Sequence, residues 1–239
     1  MRFLPPLALR ALVVASALTT PAFAGGKLKG KVEGFQQLVA EAQTAATKSD
    51  AHRFQWREGS PSVKPEFRTK GVSASQQIVV VLLAASRPSA LLPVSITLAG
   101  LGYLPATWVV APGTALRFTN NDVFPHKPYV VGVPDWKPEP VAPTGRRDWT
   151  APAAGGTFEL RDAAFPSARG FLVVDPNVVA SASPAADGSF TIDAPAGEYT
   201  LRAYFEGKPI GEARTVTLSD GAPTTLAAPL TLVVSGATK

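Results

Sequence analysis

Two side chains able to ligate a metal stand four residues apart in one short stretch, Pro112–Tyr129, PGTALRFTNNDVFPHKPY. They are Asp122 and His126. Imidazole and carboxylate together suit copper(II) or zinc. One histidine does not hold copper tightly, and the only other, His52 in Asp50-Ala51-His52-Arg53-Phe54, is far away in sequence. Two readings of His126 follow. It belongs to a site of two histidines with carboxylate help, or it is a histidine held by hydrogen bonds within its own loop. The chain has no cysteine, and its one methionine is Met1. Thiolate ligands, cysteine nucleophiles and disulfides are therefore excluded.

Other catalytic patterns are missing. No G-x-S-x-G element occurs, and neither histidine has an evident orienting set. There is no Gly-rich phosphate loop and no zinc motif. Glu159 and Asp162 are carboxylates near one another, but no supporting pattern marks them as a hydrolytic pair. The expectation is a protein that is not an enzyme. Of the four tryptophans, Trp108 falls in a strand and reads as core. Trp136 and Trp149 fall in a proline-rich stretch, Pro134–Pro152, read as a long exposed loop. Aromatics there would stack on a sugar ring or anchor a protein partner, or fold back onto the body of the protein.

The elements that position these residues are short and β-rich. From Gln76 onward the chain alternates Val, Ile, Thr, Phe and Tyr with Pro and Gly. Expected strands are Gln77–Ala84, Val94–Leu98, Thr107–Ala111, Ala115–Thr119, Tyr129–Val133, Thr157–Arg161 and Gly170–Val174. Ser189–Ile192, Glu198–Phe205, Gly211–Leu218 and Leu226–Val234 follow. Many short strands between turn signals predict a sandwich or barrel. Asp187-Gly188 and Glu206-Gly207-Lys208 read as tight turns, where glycine accepts positive φ. Ahead of this region Lys27–Val32 alternates like a strand. Phe35, Leu38, Val39, Ala42 and Ala46 then follow helix spacing, which predicts one helix over Glu33–Thr47. Ser60–Lys70 reads as an extended connector.

Residues 1–24 read as an export signal. Arg2 and Arg10 are basic, Ala11–Leu18 is apolar, and Ala22-Phe23-Ala24 fits a cleavage site after Ala24. The expected location is periplasmic or secreted. No apolar run reaches the roughly 20 residues of a membrane span. The net charge of +5 is too weak an excess to argue for nucleic acid. Lys27, Lys29 and Lys31 read as a solvated strand face, with a membrane-surface or polyanion contact as the alternative.

Two motifs resemble known families. Tyr103-Leu104-Pro105, then Val109, Val110, Pro112, Gly113 and Thr114, then Asn120/Asn121, Asp122 and His126, resemble the ligand-bearing region of cupredoxin-like exported proteins of the methylamine-utilisation or plastocyanin type. The resemblance places His126 where such proteins carry a first copper histidine. Their second ligand loop corresponds to Asp162–Gly170, followed by Phe171–Val174 and Asp175. The proline, small residue and closing strand are kept. The cysteine position is held by Asp162, the second histidine by Phe165 and the methionine by Ala168. The resemblance thus implies a cupredoxin scaffold without blue-copper chemistry, with Phe165 and Ala168 filling the metal cavity. A non-blue copper or zinc site at His126, Asp122 and Asp162 is the alternative.

The run DGSFTIDAPAGEYTLRAYF from Asp187 resembles the strand-turn-strand of carboxypeptidase-regulatory-like or starch-binding-like β-sandwiches. Phe190, Ile192, Tyr199 and Leu201 would face its core. The whole is expected to be all-β, a cupredoxin-like Greek-key sandwich continuing into a carboxypeptidase-regulatory-like unit, with one short N-terminal helix. Expected boundaries are 1–24 signal, 25–75 N-terminal segment, 76–177 cupredoxin-like sandwich and 178–239 the second β unit. The expected role is a non-enzymatic binding or structural module without a cofactor, whose partner is an unknown protein or carbohydrate of the cell envelope. A metal-binding or electron-transfer protein is the alternative.

Overall fold

The computed structural model describes residues 25–38, 72–85 and 92–232. The expected export signal, His52, Trp56, the 60–70 connector and residues 233–234 of the last expected strand lie outside the described residues.

The described chain is all-β, as expected from the alternation, and its strands form two sandwiches. The first is built from both ends of the described chain. β1 (Gly25–Glu33) is central in a sheet with β12 (Ser189–Pro195) and β15 (Pro223–Thr225), and β16 (Leu230–Thr231) also pairs with it. The facing sheet has the order β11 (Val178–Ala182), β2 (Ile78–Leu83), β13 (Gly197–Phe205), β14 (Lys208–Leu218). Leu28 and Val32, then Ile78, Val80 and Leu82, then Phe190, Ile192, Tyr199 and Leu201 fill the space between. Alternating side chains of a strand point to opposite faces, so each of these sets comes from every second residue. The expected inward set Phe190, Ile192, Tyr199 and Leu201 is buried.

The second sandwich lies between β2 and β11 in sequence. One sheet has the order β4 (Gly102–Leu104), β3 (Val94–Ala99), β6 (Ala115–Asn120), β8 (Arg146–Thr150). The other has the order β5 (Thr107–Val110), β10 (Arg169–Val174), β9 (Gly156–Asp162), β7 (Pro128–Val130). Each sheet contains one parallel pair, β3 with β6 and β5 with β10. Ile96, Leu98, Tyr103, Trp108, Phe118, Leu160 and Leu172 form its core.

Strand pairing runs across the expected boundaries. β2 pairs with β11 and β13, not with the strands that follow it. β1 likewise pairs with β12 rather than belonging to a separate N-terminal segment. The 94–174 sandwich is therefore inserted within a sandwich made from residues before and after it. β2 is buried on both faces. Ile78, Val80 and Leu82 face the first core, while Val79 and Val81 join Val109, Val173, Val178 and Tyr204 between the two sandwiches. A continuous Ile-Val-Val-Val-Leu-Leu run is the sequence form of such a strand.

The expected helix over Glu33–Thr47 is also corrected where it is described. β1 extends to Glu33, and Gly34 at φ 84° breaks into a 3-10 turn, Phe35–Gln37. Phe35 and Leu38 are buried in the first core. Their three-residue spacing mimics a helix face, but a single 3-10 turn satisfies it. Residues 39–47 lie outside the described residues. The other helical piece among the described residues is one turn, Ala74–Gln77. At the far end, Pro223–Thr225 and Leu230–Thr231 replace the single expected strand from Leu226.

The Glu206-Gly207 turn joins β13 to β14 with both φ positive, 48° and 73°. That matches the twist of a two-residue hairpin. Lys27, Lys29 and Lys31 are exposed on β1, with Lys27 3.5 Å from Asp193 and Lys31 3.9 Å from Glu33. Such exposed pairs contribute little.

Candidate functional site

At the end of β6 the chain must turn sharply, and Asn120 shapes that turn. Asn120 is fully buried. Its Nδ2 donates to the Phe124 carbonyl at 2.8 Å and the Val141 carbonyl at 2.9 Å. Its Oδ1 accepts from the Asp122 N–H at 2.8 Å. His126 and Val141 then exchange backbone hydrogen bonds, at 3.1 and 2.7 Å. These contacts carry the Asp122 and His126 side chains to the same end of the inserted sandwich.

His126 is fully buried and meets a carboxylate at each ring nitrogen. Nδ1 is 2.8 Å from Asp162 Oδ2, and Nε2 is 3.0 Å from Asp122 Oδ2. Asp162, the last residue of β9, is itself buried. Its Oδ1 accepts the N–H groups of Ala164 at 2.7 Å, Phe165 at 3.1 Å and Lys127 at 3.2 Å. Asp122 accepts the N–H of Gly100 at 2.9 Å and of Leu101 at 3.0 Å, both in the turn between β3 and β4. The Leu101 N–H, then those of Gly100 and the His126 ring, hold the Asp122 carboxyl below its ordinary range, against the opposing effect of burial. Tyr103 lies beneath, donating to the Arg161 carbonyl at 2.8 Å. Burial, then the nearby Asp162 charge, pushes its phenol well up.

The three residues picked out for metal, His126, Asp122 and Asp162, are therefore together. Their geometry is not that of a ligand set, because the two carboxylates occupy opposite sides of the ring rather than sharing a point with one nitrogen. Among the described residues no group of three or more His, Asp or Glu is arranged to hold a metal ion. The space beside the ring is filled. Phe165 lies 4.9 Å from His126 and 5.4 Å from Phe124 between ring centroids, and Ala168 is buried behind it. A blue-copper centre does not fit this constellation. It lacks a thiolate, and both imidazole nitrogens are already engaged.

The Glu159 and Asp162 carboxylates are on opposite faces of β9. Glu159 pairs with Arg161 at 2.7 Å and with Arg169 at 3.7 Å, away from the core. They do not face one substrate position.

The expected exposed loop 134–152 is corrected. It contains β8, and Trp136 is buried, at 6% exposure. Trp136 packs 4.8 Å from Phe118 and 5.2 Å from Trp149, with the Arg147 guanidinium carbon 4.2 Å over its ring. Arg147 also donates to the carbonyls of Pro128 at 3.1 Å and Lys137 at 2.8 Å. The two tryptophans fold back onto the sandwich, and Trp149 is half-buried. Arg147 and Val141 were not apparent as structural partners. Arg146 and Arg147 are adjacent and identical in type, which gives no sign of which arginine turns inward.

No protein-family model matches the chain, and no curated protein matches it. Solved structures do. Amicyanin from Paracoccus versutus is 17% identical, with a TM-score of 0.32 over 41% of this chain and 97% of that one. A purple cupredoxin from Nitrosopumilus maritimus is 17% identical, with a TM-score of 0.32 over 34% of this chain and 99% of that one. A copper-containing nitrite reductase from Thermus scotoductus is 20% identical, with a TM-score of 0.32 over 40% of this chain and 25% of that one.

Proposed function

We propose that the chain is a non-enzymatic binding or structural protein of the periplasm or cell exterior. In this reading a cupredoxin-like sandwich that has exchanged its copper ligands is carried within a carboxypeptidase-regulatory-like one. The observation that supports it is His126. Both its ring nitrogens are taken by carboxylates, at 2.8 and 3.0 Å, and Phe165 covers its side. A redox or hydrolytic metal would need one of those nitrogens and an open position beside it. The partner would be a protein or carbohydrate of the cell envelope, and half-buried Trp149 is the proposed aromatic contact. Trp136 would support that contact from beneath rather than touch the partner.

The test is metal content and location together. Untagged protein purified from fractionated cells should be found outside the cytoplasm and carry less than a tenth of an equivalent of copper or zinc by elemental analysis, on the order of adventitious binding. One equivalent of either metal, lost on replacing His126, would establish the alternative metal-binding reading.

A further inference from the structure

We infer that the protein uses His126 as an internal cation, a carboxylate–imidazolium–carboxylate bridge that fastens three loops where a metal ion would otherwise fasten them. The bridge joins the β3–β4 turn through Asp122, the β6–β7 loop through His126, and the β9–β10 loop through Asp162.

The location of the protons follows from the partners. An ionised carboxylate only accepts hydrogen bonds, and a neutral imidazole donates from one nitrogen alone. Each group around Asp162 is a donor: the N–H groups of Lys127, Ala164 and Phe165. A proton on Asp162 would therefore have no acceptor except the ring. Asp122, which is partly exposed, likewise accepts from the protein only, from Gly100, Leu101 and the ring. The arrangement is satisfied when both carboxylates are ionised and both ring nitrogens carry protons. Among the described residues no lysine or arginine side chain pairs with either carboxylate, so the ring is the cation between them. The remaining neighbours do not compete. Phe124 and Phe165 are apolar, and the Tyr103 hydroxyl donates to the Arg161 carbonyl.

Two features make the bridge a substitute for a metal rather than a vacant site. Asp162 orders its loop directly, because its Oδ1 gathers backbone N–H groups from the β6–β7 loop as well as from its own. Asp122 reaches the opposite nitrogen and is anchored on a separate turn. A metal ion would have to break one of these contacts before it could bind the ring, and it would leave a buried carboxylate without its partner.

The experiment replaces the cation from outside. His126→Gly, in the full chain, leaves two carboxylates facing a ring-sized space. Imidazole, at a pH where it is cationic, should raise the unfolding midpoint of this variant by several degrees and leave the unmodified protein unchanged. Pyrazole has the same size but is a far weaker base, and it should not. Equal stabilisation by both would mean that the ring only fills space and would overturn the bridge, as would no stabilisation by either. The unmodified protein supplies a second measurement should the variant fail to fold. Nitrogen-15 NMR of His126 should show a proton on each ring nitrogen, unchanged by one equivalent of Zn(II). A ring with one bare nitrogen, or a ring that binds Zn(II) stoichiometrically, would refute the inference. The bridge stands on geometry alone, so its failure through a bare nitrogen would leave the non-enzymatic reading in place.

Discussion

The ring of Phe165 stands 4.9 Å from the ring of His126, tilted by 53°. Phe165 packs against the inserted core while remaining half-buried. It is a lid over the histidine more than a plug within the core. Phe165→Ala should therefore cost about 1–3 kcal/mol, less than the roughly 3–5 kcal/mol of a fully buried phenylalanine. Urea unfolding measures it. A change within about 0.5 kcal/mol, as at ordinary surface positions, would show that the lid contributes nothing.

Copper(II) added to the protein should give no intense visible band. Such a band arises in copper–thiolate bonding, and the chain has no cysteine. An absorption titration checks it. Weak colourless binding would be compatible, whereas a strong blue or purple colour would contradict the whole reading of the site.

Acid should weaken the fold through Asp122. Its carboxyl is held below the ordinary value by the Leu101 N–H first, and by Gly100 and His126 after that. A carboxyl depressed in the folded state contributes stability in full above its unfolded value, roughly 3.9, and loses it as pH falls through the folded value. Unfolding midpoints of the native protein and Asp122→Asn should therefore differ at neutral pH and converge in acid below both values. Parallel curves across that range would remove Asp122 from the account.

Gly188→Ala should destabilise by about 2 kcal/mol or more, since it combines left-handed strain with a steric clash. Gly188 has a φ of 86°, and an added Cβ would run into the Val32 carbonyl oxygen. Its own carbonyl accepts the Val32 N–H at 2.9 Å, so the turn cannot withdraw without losing that bond. Thermal unfolding would show the loss, and an unchanged midpoint would mean the turn relaxes freely.

The two sandwiches should unfold as one. β2 belongs to the first core by one face and to the shared Val79, Val81, Val109, Val173 and Tyr204 contact by the other. Trp108, Trp136 and Trp149 all lie in the inserted sandwich, so tryptophan fluorescence reports mainly on that part, whereas circular dichroism reports on both. The two signals should trace the same denaturant curve. Separate midpoints would show that the shared valines do not couple them.

Local chemistry was legible in sequence, and distant pairing was not. Glu206-Gly207 marks the β13–β14 hairpin, and the alternation of Phe190 and Ile192 and of Tyr199 and Leu201 marks one buried face on each of β12 and β13, because turn geometry and side-chain period are both local. Gln77–Ala84 was recognisable as a strand, but the partners of β2 lie about a hundred residues downstream, and nothing in its six apolar residues specifies them. The site divides in the same way. His126 and Asp122 are four apart and could be paired on paper, and Asp162 entered through the resemblance. That the carboxylates take opposite nitrogens depends on Gly100 and Leu101, whose contribution is backbone N–H and leaves no trace in residue type. The prolines around Trp136 read as an exposed loop, and of the two alternatives open for its ring the structure takes the one in which it folds back onto the body. Its cover comes from Arg147 and Trp149, on a strand that composition did not reveal.

The nesting of one sandwich within the other sets an order on synthesis. A chain emerging from its N-terminal end delivers β1 and β2 early, yet their partners β11, β12 and β13 arrive only after the whole 94–174 segment. The inserted sandwich contains all its own strands and is complete first. During that interval the Ile-Val-Val-Val-Leu-Leu strand has neither of its neighbours, a long-range closure of the kind that slows folding and leaves sticky edges in the open. Once the inserted unit has formed, Val109 and Val173 offer one face of that strand a place to rest. The interior unit thus acts as a cradle that shelters a waiting strand until the last quarter of the chain comes to close over it.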